Sequence, residues 1–201
     1  MSEIKRICVY CGSGPGTDPA FVAAAREFGT ILAKNGIGLV YGGGQDGIMG
    51  AVSDAARAHG GEVIGIIPRF LMRREHADPS RSDLIITEDM HERKRRMFEL
   101  ADAFVAFPGG IGTLEELVEQ LTWIQLGRHR KPVLLANIRD FWNPLCALID
   151  HMKTLRFIRD DLNFEMLVAD RVEEILPMLR AALANVSESE KGLAALRADQ
   201  L

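Results

Sequence analysis

The sequence has no excess of basic residues: 24 lysines and arginines against 28 aspartates and glutamates leave a formal net charge of −4. That balance argues against nucleic acid or an anionic membrane as the main partner. No apolar run approaches the roughly 18–20 residues needed to span a bilayer. The opening MSEIKRICVY moves straight into a strand-like run and lacks the layout of a signal peptide. Cysteine is scarce, with three residues, an odd number that fits a reducing compartment better than a disulfide framework. Cys8 and Cys11 form a C-x-x-C, but no second Cys/His pair follows to complete a zinc site. Cys8 lies inside the apolar run ICVY rather than at a helix start, so both thiols read as buried structural groups. No internal repeat is present. These absences predict a cytoplasmic protein without a metal site. Its 201 residues, 47% of them hydrophobic, suit one α/β domain with a full core.

What is present is alternation. Short apolar runs at Arg6–Tyr10, Gly38–Tyr41, Glu62–Ile67, Asp83–Ile86, Ala103–Phe107, Pro132–Asn137 and Met166–Val168 read as strands. Between them, amphipathic stretches at Pro19–Lys34, Gly47–His59, His91–Leu100, Thr113–Gln125, Phe141–Leu155 and Val172–Leu183 read as helices. Asp18-Pro19 supplies an N-cap followed by proline at the first helical position. Strand–helix alternation with continuously apolar strands predicts a doubly wound, Rossmann-like parallel sheet with helices on both faces. A single domain over residues 1–184 is expected, followed by a polar tail over 185–201. The polar stretch Met72–Asp83 reads as a mobile flap.

In such sheets ligands bind beyond the carboxyl ends of the strands. Three glycine-bearing turns follow that rule: CGSGPG after the first strand, YGGGQDGIMG after the second and FPGGIGT after the fifth. Gly42, Gly44 and Gly47 match G-x-G-x-x-G, but the next strand, EVIGIIPRF, ends without the acid that holds a dinucleotide ribose. A mononucleotide or sugar phosphate fits these turns better than a nicotinamide cofactor.

Thr113-Leu114-Glu115-Glu116 has the form of a capping box, with Thr113 as N-cap and Glu116 reaching back to its amide. Capping alone leaves Gly109, Gly110 and Gly112 unexplained. They would let the backbone approach a ligand, and amides at a helix start favour an anion. In MHERKRRMFELADAF, helical spacing puts Met90, Arg93, Lys94, Met97 and Ala101 near one face. Cations within an apolar stripe point to an inward-facing anion site, although a solvated basic helix fits the spacing equally well. Arg95 and Arg96 read as facing solvent or another subunit. The stretch LEELVEQLTWIQL carries apolar residues over a wide arc, as expected if it also packs on a partner chain.

Two segments together resemble a known family. Met90–Lys94 resembles M-H-x-R-K, and Pro108–Glu116 matches P-G-G-x-G-T-x-x-E in full; GGGQDGIMG over Gly42–Gly50 is similar to the same family's first glycine loop. The family is the LOG group of cytokinin riboside 5′-monophosphate phosphoribohydrolases, whose members have often carried a lysine decarboxylase label. The resemblance covers roughly residues 5 to 184. It implies hydrolysis of the N-glycosidic bond of (N6-substituted) adenosine 5′-monophosphates, with no cofactor or metal and assembly as a homodimer or a larger oligomer. By motif position it implies Arg93 and Glu116 as the catalytic pair. Lys94, Gly109, Gly110, Gly112, Thr113 and Glu115 would bind the nucleotide, joined by Ser13, Gly43 and Gly44 from the other turns and by Thr122 and Glu75.

N-glycoside cleavage develops positive charge on the ribose, which a nearby carboxylate stabilises. At the positive end of a helix Glu116 would be held ionised, and it stands about 100° around the helix from Glu115. Two rivals remain: a pyridoxal-phosphate lysine decarboxylase, and a non-catalytic nucleotide or phosphorylated-cofactor carrier on the same fold. The pocket for the N6 substituent is sought among Met49, Trp123 and Leu126.

Overall fold

The computed structural model describes residues 3–79, 83–158 and 166–198. Its strands are β1 (Arg6–Tyr10), β2 (Gly38–Tyr41), β3 (Val63–Pro68), β4 (Leu84–Thr87), β5 (Ala103–Ala106), β6 (Val133–Ala136) and β7 (Leu167–Ala169). The helices are α1 (Pro19–Lys34), α2 (Gly47–Ala58), α3 (Met90–Leu100), α4 (Ile111–Gln125), α5 (Asn143–Thr154) and α6 (Val172–Ala198). Every neighbouring pair of strands is parallel, in the order β4-β3-β2-β1-β5-β6-β7. The doubly wound architecture read from the alternation is the one observed. All residues of β2, β5 and β6 are buried, as strands covered on both faces must be.

The strand order reverses between β1 and β5, where Ile7 pairs with Leu39 on one side and Ala103 on the other. A ligand crevice belongs at such a reversal, and FPGGIGT follows β5 there. One apolar layer joins the sheet to α1, α2 and α6 through residues such as Phe28, Leu32, Val52 and Ile175; the opposite layer joins it to α3, α4 and α5 through Met97, Leu117, Leu121 and Ile149.

Local chemistry explains the element ends. Asp18 Oδ1 accepts from Ala20 N at 2.8 Å, Pro19 occupies the first turn of α1, and Lys34 sits in its last. Asp89 caps α3 by accepting from Glu92 N at 2.8 Å, while the Glu92 carboxylate accepts from Glu88 N at 3.1 Å. Side-chain capping of this kind thus stands at the start of α3.

At α4 the structure corrects the sequence. The N-cap is Gly110, no side chain caps it, and the helix is already under way at Thr113. The glycines let extended backbone enter the helix early, so Thr113 turns inward against Gly109 and is buried. Glu116 therefore lies in the second turn and faces Arg93 instead of its own helix start. At the other end of the chain, α6 continues through Asn185, where composition predicts a polar tail, to Ala198. The flap residues 80–82 lie outside the described residues. Among the described residues no helix is long and apolar enough to cross a membrane.

Candidate active site

The three glycine turns pack directly on one another at the sheet reversal. Gly12 N donates to Pro108 O at 3.1 Å, and Met49 N donates to Gly12 O at 3.3 Å. A Cβ on Gly109 would come within 2.8 Å of Gly12 N, and one on Gly47 (φ 58°) would overlap the Ser13 carbonyl oxygen. Backbone from three βα units thus converges where side chains would not fit. Gly14, Gly110 and Gly112, by contrast, border open space, and Ser13 is exposed beside them. With no side chain at its cap, the first turn of α4 presents its amides to that space, a setting that favours an anion.

Arg93 crosses above the ends of β2 and β3. Its Nε donates to Ile66 O at 3.1 Å and its Nη2 to Gly42 O at 3.3 Å, while Nη1 lies 3.4 Å from Glu116 Oε1. The side chains of Arg93 and Glu116 are only 10% and 9% exposed, so the pair is close to fully desolvated. Burial pushes the Glu116 carboxyl above the usual range, and the opposing pull of Arg93 does not cancel it. This reverses the expectation that the helix dipole holds Glu116 readily ionised: a second-turn position weakens the dipole, and desolvation wins. Burial also pushes up the thiols of Cys8 and Cys11, with Glu116 nearby adding to the rise. Both cysteines are free and buried, in keeping with a structural role.

The remaining candidates divide. Glu75 is brought to the site: its backbone oxygen accepts from Gln45 N at 3.2 Å, and its Oε2 lies over Gly44. His76 next to it pairs with Asp46 at the start of α2, which ties this part of the flap to the second glycine turn. Gly43 packs against Ile67 and Leu84, and is buried with Gly44 under Met49 and the flap. Glu115, half exposed, is bound to Lys94. Thr122 is exposed further along α4, its hydroxyl donating to Val118 O at 2.7 Å, and within this chain it stands apart from the glycine turns. Of the three apolar guesses only Met49 borders the site. Trp123 instead meets Phe98 edge-on at 5.1 Å in a cluster with His129, and Leu126 is exposed.

Sequence reasoning missed Glu119, whose Oε1 lies 3.0 Å from Lys94 Nζ. Its position four residues after Glu115 on one helix face was the available signal. Met90, placed by helical spacing on the same face as Arg93, lies beside it with Sδ 3.9 Å from Nη1. Among the described residues no group of three or more His, Cys, Asp and Glu side chains is arranged to hold a metal ion.

Comparison with known proteins gives consistent relatives. A family model described as "Possible lysine decarboxylase" matches residues 49–179. The chain is 45% identical over 192 residues to the cytokinin riboside 5′-monophosphate phosphoribohydrolase LOG of Oryza sativa subsp. japonica, covering 96% of this chain and 78% of that one. It is 44% identical over 178 residues to the enzyme of the same name, LOG7, of Arabidopsis thaliana, covering 89% and 82%. Among solved structures, the molybdenum cofactor binding protein of Rippkaea orientalis superposes with a TM-score of 0.66 at 22% identity, covering 91% of this chain and 99% of that one. At that identity the likeness is one of fold.

Proposed function

The chain belongs to the family of the cytokinin riboside 5′-monophosphate phosphoribohydrolases, and from that premise we propose that it hydrolyses the N-glycosidic bond of adenosine-type 5′-monophosphates, N6-substituted ones included. The products are a free adenine-type base and ribose 5-phosphate. The observation that carries the reading is the buried Arg93–Glu116 pair beside an uncapped, glycine-lined helix start.

In this reading the 5′-phosphate sits on the amides of Gly110, Gly112 and Thr113 at the start of α4, with the turn holding Ser13 opposite. The ribose then lies towards Glu116. As the bond from C1′ to the base nitrogen breaks, positive charge grows on the ribose and a low-dielectric carboxylate stabilises it. Water adds to C1′, and Glu116, its basicity raised by burial, accepts the water's proton. The leaving base takes up a proton from solvent, and Glu116 returns the water's proton to solvent before the next turnover. Arg93, fixed by two backbone carbonyls, holds Glu116 in line. Glu75, carried over Gly44 by the flap, supplies a further polar contact to the substrate. Water is the only co-reactant required.

The description attached to the family model names a different chemistry, decarboxylation of lysine. A Schiff-base lysine needs a neutral amine. Lys94, beside Arg93, has its pKa held up by Glu115 and Glu119 against the effect of burial, which keeps it protonated. A carrier of a nucleotide or phosphorylated cofactor would use the glycine turns but gives no reason for a desolvated Arg–Glu pair.

Two features support a homodimer. Ile111, Val118 and Leu126 are exposed along α4, and Thr122 shares their arc, so a second copy covering this face would bring it near a site. Three free thiols support a cytoplasmic location. The test is incubation with AMP, N6-isopentenyl-AMP and the matching nucleosides, with chromatography for released base. Release from the monophosphates alone is expected. Cleavage of nucleoside as fast as monophosphate would remove the phosphate site from the reading, and no release from either would leave a binding protein.

A further inference from the structure

Lys94 follows Arg93 on α3, and the family motif would place its ammonium on the nucleotide. Its surroundings argue for another role. Nζ lies 2.7 Å from Glu115 Oε1 and 3.0 Å from Glu119 Oε1, and the side chain is 14% exposed. The two carboxylates stand four residues apart on α4 and grip one ammonium from a single helix face. One cation between two carboxylates leaves the cluster net negative. A phosphate brought to this ammonium would meet two like charges at contact range. The second oxygen of Glu119 is buried without a hydrogen-bond partner, so Lys94 supplies that carboxylate's only compensation among the described residues.

The sequence places this cluster directly beside the reacting pair. Arg93 and Lys94 are consecutive on α3, and Glu115 and Glu116 are consecutive on α4. Two cross-helix bridges therefore run side by side: a tight one at 2.7 Å and a looser one, Arg93 to Glu116, at 3.4 Å. The tight bridge has the shorter contacts and the second carboxylate. We propose that Lys94 is a positioning residue: clamped by Glu115 and Glu119, it sets the spacing of α3 and α4 and so the Arg93–Glu116 geometry, and it is not a ligand of the substrate phosphate. The inference rests on the hydrolase reading above.

Steady-state kinetics on AMP, with parallel binding of ribose 5-phosphate, separate the two roles in wild type, Lys94→Gln, Lys94→Arg and Glu119→Gln. A displacement near 1 Å at the reacting pair lowers kcat by about 10²-fold. Lys94→Gln and Glu119→Gln are both expected to show such a loss in kcat with KM and ribose 5-phosphate affinity nearly unchanged. Lys94→Arg should retain most of the rate, because a guanidinium can bridge both carboxylates. The inference is overturned if Lys94→Gln weakens ribose 5-phosphate binding by about tenfold or more, roughly 1.4 kcal/mol, while Glu119→Gln turns over normally. It is also overturned if neither substitution changes kcat. Should wild type release no base, the hydrolase reading fails separately, and ribose 5-phosphate binding alone decides Lys94: retained affinity in Lys94→Gln supports the brace, and lost affinity overturns it.

Discussion

Replacing Glu116 by glutamine keeps the shape of the side chain and removes its charge and basicity. Two effects follow from its place in the site. The first is on rate. General-base assistance contributes about 10²–10⁴ and preorganised charge at a developing cation is of similar size, so kcat should fall by roughly 10³-fold or more, about 4 kcal/mol of barrier. The second is on stability. Burial raises the Glu116 carboxyl in the folded protein above its value in the unfolded chain. The folded state then binds more protons, and the contribution of this group to stability falls as pH rises through the raised value. Each unit of that rise corresponds to about 1.4 kcal/mol, which the ionised carboxylate costs at neutral pH. Glu116→Gln removes this titration and also leaves buried Arg93 without its counter-charge, so the mark of the burial effect is the pH slope: the variant should lack the loss of stability that wild type shows as pH rises through the raised value. The assay is release of base from AMP over pH 4 to 8, alongside urea unfolding. Wild-type kcat should decline on the acid side at a pH above the ordinary carboxylate range, and the residual rate of the variant should lack that limb. Full turnover in the variant with normal AMP binding would refute the role given to Glu116. The same dependence of stability on pH in variant and wild type would refute the reasoning from burial.

Other elements yield narrower expectations. Gly47→Ala puts a Cβ against the Ser13 carbonyl at a φ of 58° and should cost at least ~1–3 kcal/mol; an unchanged urea midpoint would show that the turn has slack. His129 is held down to about 4 by burial, with Lys131 adding to the effect. The unfolded chain takes up that proton first, so stability should fall as pH drops from about 6.5 to 4. His129→Phe should flatten that slope, and equal acid sensitivity in both proteins would contradict it. Val118→Asp on the exposed face of α4 should convert dimer to monomer in sedimentation, and an unaltered mass would move the interface elsewhere.

The strand and helix pattern was legible because this sheet buries both faces of its strands, so apolar runs alone mark them. The start of α1 is set by Asp18 and Pro19, two residues that act locally, and the sequence locates it to the residue. The start of α4 is set by backbone: Gly110 is extended and Gly109 before it packs against Gly12 from another turn, and a side-chain cap signature at Thr113 cannot register that. The motifs singled out Arg93 and Glu116, which the fold brings to 3.4 Å, but not the sign of the Glu116 shift. That sign depends on how completely two helices and three turns exclude water. The partners of Lys94 were hidden for a related reason, since Glu115 and Glu119 meet it only once α3 and α4 lie side by side. Trp123, an attractive pocket residue by type, is drawn away by the rings of Phe98 and His129.

The meeting of Gly12, Gly47 and Gly109 divides the site into two regions of unequal freedom to change. Where three backbones touch, no side chain is available to exchange, and almost any substitution is a clash. The flap opposite, anchored through Gln45 to Glu75 and Asp46 to His76, rests on a few polar contacts and exposed positions. On the proposed function, diversification within this scaffold should then be confined to one end of the ligand: the glycine turns assigned to the phosphate stay fixed by geometry, and altered selectivity for what hangs from the base would enter through the flap.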